Sequence, residues 1–173
     1  VLTLTLTYAK QPIKKVLPLK TKPKYILIGL LLIFGILFSL SSLNEYLIRL
    51  FELMGYERKT GSGIPDISGA KIISVLLFIA VLPAISEEIL FRGIMLNNIK
   101  DDVGEIRTIF LVGMCFCLFH GSVEQTIYQF ICGCYFAFLA FRSRSLTPVV
   151  LIHFLNNALI IILYKTGNMD GET

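Results

Sequence analysis

From Tyr25 to Leu43 the chain runs nineteen residues without a charged side chain, close to the ~20 that a helix needs to cross the hydrocarbon core of a bilayer. Such a block leaves few folds open. In lipid every backbone N–H and C=O must be paired inside the protein, which favours helices packed on helices. Further apolar runs follow at Lys71 to Ile89, Thr108 to His120, Thr126 to Phe141 and Pro148 to Tyr164. Composition agrees: 55% of residues are hydrophobic and 16% charged, with a mean hydropathy of +0.75. A soluble chain of this length needs more charge to cover its surface. The sequence predicts an all-α fold, a polytopic integral membrane helical bundle with about five transmembrane helices.

The organisation reads in three parts. Residues 1–24 are a basic N-terminal tail, whole or truncated, residues 25–164 a transmembrane domain, and residues 165–173 a polar C-terminal tail. Within 1–24 the alternation Thr3-Leu4-Thr5-Leu6-Thr7 is strand-like, but no partner strand is in sight. Lys10, Lys14, Lys15, Lys20, Lys22 and Lys24 precede the first span. In that place they are a cytoplasmic anchor rather than a nucleic-acid patch, because aromatic interleaving and any nucleic-acid fold signature are missing. A full-length span follows them without a small-residue cleavage site, so no signal peptide is read. Arg92, Lys100, Arg107, Arg142 and Arg144 fall on the same side of the alternating helices. The expected placement is the cell membrane with the N-terminus cytoplasmic. Residues 44–70 carry Gly55, Gly61, Gly63, Pro65 and Gly69 and read as a loop, with a short interfacial helix over Glu45 to Met54. Pro148 suits the first turn of the last helix. Cys115/Cys117 and Cys132/Cys134 are two residues apart, which points them to opposite sides of a helix, so neither pair chelates one ion.

Ionisable groups inside spans cost at least ~2.5–3.5 kcal/mol each on insertion scales, so each needs a reason. Glu87 and Glu88 follow directly on an apolar stretch, Arg92 stands four residues after Glu88, His120 ends the third run, and His153 and Asn157 lie four apart in the fifth. The Glu88–Arg92 spacing is that of a helical ion pair. If the second helix continues to about Lys100, Glu87 lies ~20 Å from its cytoplasmic end at 1.5 Å per residue. By the same arithmetic His120 lies ~18 Å from Thr108, and His153 and Asn157 ~9 and ~15 Å from Thr147. Three helices thus bring unusual polar residues to overlapping depths. A common polar cavity opening toward the cytoplasm accounts for this more simply than separate packing roles, with Arg92 at its mouth.

The same residues form ordered motifs: Glu87-Glu88-x-x-x-Arg92, Phe116-x-x-x-His120 and His153-x-x-x-Asn157. In this order, each on an apolar helix, they resemble the CAAX protease and bacteriocin-processing (Abi) family, which includes the type II CAAX prenyl endopeptidases. The connection Arg142 to Pro148 looks like that family's as well, and the resemblance covers roughly residues 71–164, the catalytic core. It implies an intramembrane endopeptidase in which Glu87 activates the hydrolytic water and His120 holds or polarises it. His153 and Asn157 would stabilise the oxyanion, and Glu88 and Arg92 would support them. Donors aimed at a developing oxyanion are worth most where water is scarce.

No cofactor is expected by this reading. Zinc is the alternative, since two histidines and two glutamates could bind it, although His-Glu-x-x-His is absent and Asn157 is a poor zinc ligand. The partners expected are a peptide or protein substrate entering from the membrane or the cytoplasmic side and the lipid bilayer, with no nucleic acid. A non-catalytic peptide-binding or bacteriocin-immunity protein is the rival from another class. A proton-coupled transporter fits the buried carboxylates, but internal repeats are lacking.

Overall fold

The computed structural model describes residues 19–58, 67 and 69–166. Most of the basic tail, the centre of the loop at 59–66 and the C-terminal residues 167–173 lie outside them, as do the strand-like alternation at Thr3–Thr7 and Lys10, Lys14 and Lys15. The described residues are helical where they are regular, and no strand occurs among them. The all-α expectation is met.

Helix α1, Pro23–Leu53, starts with Pro23 in its first turn, where a missing N–H costs nothing. It does not break at Asn44 as the polarity suggested. Ile48 is buried, Glu45 and Arg49 pair at 3.5 Å across one turn, and the helical period carries on to Leu53. At 31 residues α1 is ~46 Å long, more than the ~30 Å of a hydrocarbon core, so its far end emerges into the interface. Gly55 at φ +92° then turns the chain.

Helix α2, Ile72–Val103, is 32 residues long, and helix α5, Thr147–Lys165, is 19. By length and apolarity these two are the described helices able to cross a bilayer on their own. The expected five spans are therefore met in part. Helix α3, Glu105–His120, has 16 residues, and helix α4, Thr126–Ser143, interrupts its apolar run with Tyr128, Gln129 and Arg142.

Two stretches of α2, Leu76–Val81 and Ile89–Met95, are wound wider than an α-helix. Pro83 lies just past the first and has no N–H to give the Ile79 carbonyl four residues back. The side-chain amide of Asn157 on α5 donates to that carbonyl at 3.4 Å. The second wide stretch begins right after Glu88 and contains Arg92. Wide turns of this kind concentrate at functional sites.

Gly104 at φ +81° joins α2 to α3. Helices α3 and α4 pack most closely of all, and the cause is a pair of glycines. A Cβ on Gly113 would lie 2.4 Å from Cys134 Sγ, and one on Gly133 2.9 Å from Gly113 Cα. Close backbone approach through small residues is the usual device where lipid removes the hydrophobic driving force. Helix α1 lies against α4 and α5, α5 against the first half of α2 (Leu76–Glu88), and the second half of α2 against α3 and α4. The main core, built from Phe91, Val112, Phe116, Phe136, Val149 and Ile152, surrounds the polar centre of the bundle. The outside is apolar too, with Leu31, Ile73, Phe78, Ile106, Leu118 and Phe119 exposed. The four cysteines are free thiols, and Cys117 and Cys132 are buried.

Candidate active site

Three helices, α2, α3 and α5, bring the motif residues together. Glu88 is wholly buried and Arg92 nearly so, at 1% exposure. Arg92 Nη1 donates to Glu88 Oε1 at 2.8 Å, the pair anticipated from their spacing. His153 Nδ1 meets the same oxygen at 2.8 Å. Arg92 Nη2 donates to the Gly133 carbonyl at 3.0 Å, so the guanidinium also ties α2 to α4. Its planar face lies 4.5 Å from the Phe116 ring centre and 5.4 Å from that of Phe136, within cation–π range. Arg92 is thus a buried strut.

Glu87, one residue earlier, faces a different space. Its Oε2 is buried and has no hydrogen-bond partner among the described residues. His120 Nε2 and His153 Nε2 each lie 3.9 Å from it. That spacing is too long for a direct hydrogen bond and right for groups that share a water.

The two imidazoles are held by their other nitrogens. His120 Nδ1 lies 2.8 Å from the Phe116 carbonyl one turn back, an oxygen that can only accept. That makes Nδ1 the N–H and leaves Nε2 with its lone pair in the neutral ring. The motif spacing Phe116-x-x-x-His120 therefore has a backbone meaning as well as an aromatic one: the two rings also touch, 4.6 Å between centres. His120 is the last residue of α3, released by Gly121 at φ +59°. His153 Nδ1 is likewise the N–H, on the Glu88 carboxylate, and its ring stacks on Phe136 at 5.1 Å.

Glu87, Glu88, Arg92, His120 and His153 thus share one centre. Asn157 sits one turn beyond His153, with its amide on the Ile79 carbonyl. Two polar residues that the motifs passed over stand beside it. Asn156 is buried and accepts from the Tyr128 hydroxyl at 2.5 Å, and its own amide lies 3.4 Å from Asn157 Oδ1. A tyrosine inside the fourth apolar run and an asparagine adjoining the third motif were the available signals. As they stand, no three His, Cys, Asp or Glu side chains among the described residues are grouped to hold a metal ion.

Comparison with known families gives a match over residues 69–159 to the family described as Type II CAAX prenyl endopeptidase Rce1-like. Curated proteins and solved structures return no match.

Proposed function

The chain belongs to the Type II CAAX prenyl endopeptidase Rce1-like family, whose match covers 91 of its 173 residues, and from that premise we propose a glutamate-based hydrolysis of a peptide bond within the membrane. The observation that carries this reading is the buried, unpartnered Glu87 Oε2 with both histidine Nε2 atoms 3.9 Å away. Water held there attacks the carbonyl carbon and gives its proton to Glu87 while His120 Nε2 accepts its other hydrogen bond. The carbonyl oxygen becomes the oxyanion and takes hydrogen bonds from His153, when that ring carries its second proton, and from the Asn157 amide. Asn157 must first leave Ile79, and a 3.4 Å bond is a weak hold. As the C–N bond breaks, Glu87 returns its proton to the leaving amine. Glu88 and Arg92 keep His153 in place throughout.

The protein acts as an integral membrane peptidase by family, and we place its lysine-rich end in the cytoplasm, with α1, α3 and α4 completing about five spans. The substrate enters from the membrane or from that side.

A zinc-dependent form of the same reaction is the second reading. One observation favours it: each histidine Nδ1 is held by a carbonyl or a carboxylate, the outer arrangement of metal-bound histidines. Glu87, His120 and His153 would then have to close to the 2.0–2.2 Å bonds that zinc requires. Against it, Glu88 is already engaged by Arg92 and His153, and Asn157 is a poor zinc ligand. Purified protein assayed on a quenched peptide library with and without a strong chelator decides. Unchanged turnover is expected, and loss restored by zinc alone would overturn the metal-free mechanism. An immunity or peptide-binding role without cutting predicts instead that Glu87→Gln retains the cellular phenotype.

A further inference from the structure

The two ends of the bundle differ in charge. The hydrogen bond from Thr147 Oγ1 to the Leu19 carbonyl, at 2.5 Å, sets the N-terminal lysines beside the α4–α5 turn. At that end the described residues include seven cations, Lys20, Lys22, Lys24, Lys100, Arg107, Arg142 and Arg144, against three carboxylates, Asp101, Asp102 and Glu105. At the other end Arg49, Arg58, Lys71 and Lys165 stand against Glu45, Glu52, Glu57 and Glu124, and the charges of the described residues cancel.

The cationic end is not a plain basic surface. A half-open cleft of about 430 Å³ cuts into it between the last turns of α2 and the α4–α5 turn. Lys100, Asp101, Arg144 and Ser145 line it, and Arg92 contributes to its lining as well. Lys100 Nζ donates to Asn97 Oδ1 at 2.7 Å, which fixes its ammonium at the cleft wall. Arg142 is engaged elsewhere, at 2.8 Å from Glu105. Arg144 is the one non-glycine residue among those described with a positive φ, +52°. A left-handed backbone there costs energy for any side chain with a Cβ and is worth a functional question. The answer the cleft offers is that the left-handed turn holds a guanidinium where a glycine would fit more easily. A second sign comes from beneath: Arg92 Nε is buried without a hydrogen-bond partner among the described residues. Asp101 is the opposing charge in the cleft, so two cations, the exposed Arg144 and the half-buried Lys100, face one carboxylate, while Arg92 is balanced by Glu88.

We propose that this cleft binds a phosphate group, supplied by the headgroup of an anionic phospholipid, between Arg144 and Lys100 with Arg92 beneath it. Basic pockets between transmembrane helices at the headgroup level are the recognised setting for such lipids. The site is independent of the peptidase chemistry, but it touches it: Arg92 is the neighbour of the cleft on one side and of Glu88 and His153, through its Nη1, on the other. A bound phosphate would steady the Arg92 strut.

Native mass spectrometry on the purified full chain in detergent tests this. Dioleoyl phosphatidylglycerol is titrated, with dioleoyl phosphatidylcholine as the zwitterionic comparison and with inorganic phosphate and glycerophosphoglycerol as water-soluble competitors. One phosphatidylglycerol should be retained per chain in preference to phosphatidylcholine. Arg144→Gly, which also relieves the left-handed strain, and Lys100→Gln should each weaken retention about fivefold, the worth of one basic side chain near an anionic surface. Arg107→Gln, at the same end but outside the cleft, should leave it unchanged. Displacement by inorganic phosphate would assign recognition to the phosphate itself, whereas resistance to both soluble competitors would assign it to the headgroup of an intact lipid. If the Arg144→Gly/Lys100→Gln double variant, folded by its dye-monitored melting curve, retains phosphatidylglycerol like the parent, the proposal fails. Loss in Arg107→Gln equal to that in Arg144→Gly would overturn it as well, since the effect would then be general charge.

Discussion

Around Glu88 the polar groups are paired across three helices. One carboxylate oxygen takes the Arg92 guanidinium and the His153 imidazole, both at 2.8 Å, and Arg92 reaches on to the Gly133 carbonyl. Around Glu87, one residue earlier, the nearest nitrogens stand off at 3.9 Å and Oε2 has no partner among the described residues. Adjacent helical residues point ~100° apart, so two identical side chains are delivered to two environments. The contrast separates holding from reacting. Glu88 Oε2 and Arg92 Nε are also buried without a partner among the described residues. What fixes geometry is therefore the set of bonds made through Glu88 Oε1 and Arg92 Nη2. Glu87 Oε2, by contrast, has both imidazoles at stand-off distance and is available for chemistry. His153 belongs to both sides, with Nδ1 on the fixed one and Nε2 on the reactive one.

Glu87→Gln should break the comparison most severely on the reactive side alone. Peptide turnover should fall ~10²–10⁴-fold, the usual worth of a general base. The melting curve, followed by a thiol-reactive dye on the buried Cys117 and Cys132, should stay near the parent's. A large loss of stability with turnover retained would reverse the roles of the two glutamates. Arg92→Leu should do the opposite. It strands the Glu88 carboxylate in an apolar core, and removing one partner of a buried pair costs about 3–5 kcal/mol. Glu88→Leu combined with Arg92→Leu should recover a good part of that stability, but not the activity, since His153 Nδ1 would lose its acceptor. A double variant no more stable than Arg92→Leu would deny that the stranded charge is the cause.

Gly133→Ala sharpens the contrast at its backbone anchor. Its Cβ would lie 2.9 Å from Gly113 Cα and from the Gly113 carbonyl oxygen, and backbone cannot swing aside as a long side chain can. Forcing α4 away from α3 should cost about 1–3 kcal/mol by overpacking, and it moves the carbonyl that Arg92 Nη2 uses. The melting curve should report it. Gly35→Ala, where nothing lies within 4 Å of the added atom, is the comparison expected to show no loss.

Much of this was legible in the sequence because lipid simplifies the code. The apolar runs locate α3, α4 and α5 and the start of α2 to within a few residues, and the helical spacing of Glu88 and Arg92 foretells their pair. What the code left out has physical reasons. The contact of His153 with Glu88 spans 65 residues and depends on how α5 is set against α2. The Gly133 carbonyl carries no side-chain signal at all. The polarity of Asn44 and Glu45 points to an exit from the helix, but buried Ile48 keeps the period going. The family resemblance implies an oxyanion role for Asn157. Its bond to Ile79 depends on Pro83 withholding an N–H from that carbonyl, which becomes visible only once α5 lies beside α2.

Which side of the comparison Asn157 belongs to is the question left for the smallest change. The Tyr128 hydroxyl holds Asn156 Oδ1 at 2.5 Å, Asn156 Nδ2 lies 3.4 Å from Asn157 Oδ1, and Asn157 Nδ2 lies 3.4 Å from the Ile79 carbonyl. The bonds weaken along this chain toward Asn157, so it is firmly anchored at the tyrosine and loosely at the end that would meet an oxyanion. Tyr128→Phe removes one neutral hydrogen bond and should cost about 0.5–1.5 kcal/mol of stability. If Asn157 turns to the oxyanion during the reaction, freeing Asn156 disturbs its aim. The kcat should then drop severalfold with KM nearly unchanged, the pattern of an interaction made only in the transition state. Asn157→Ala should lower kcat further, and adding Tyr128→Phe to it should then change little. An unaltered kcat in Tyr128→Phe, together with full activity in Asn157→Ala, would put Asn157 on the fixed side, as a clamp for the wide turn before Pro83.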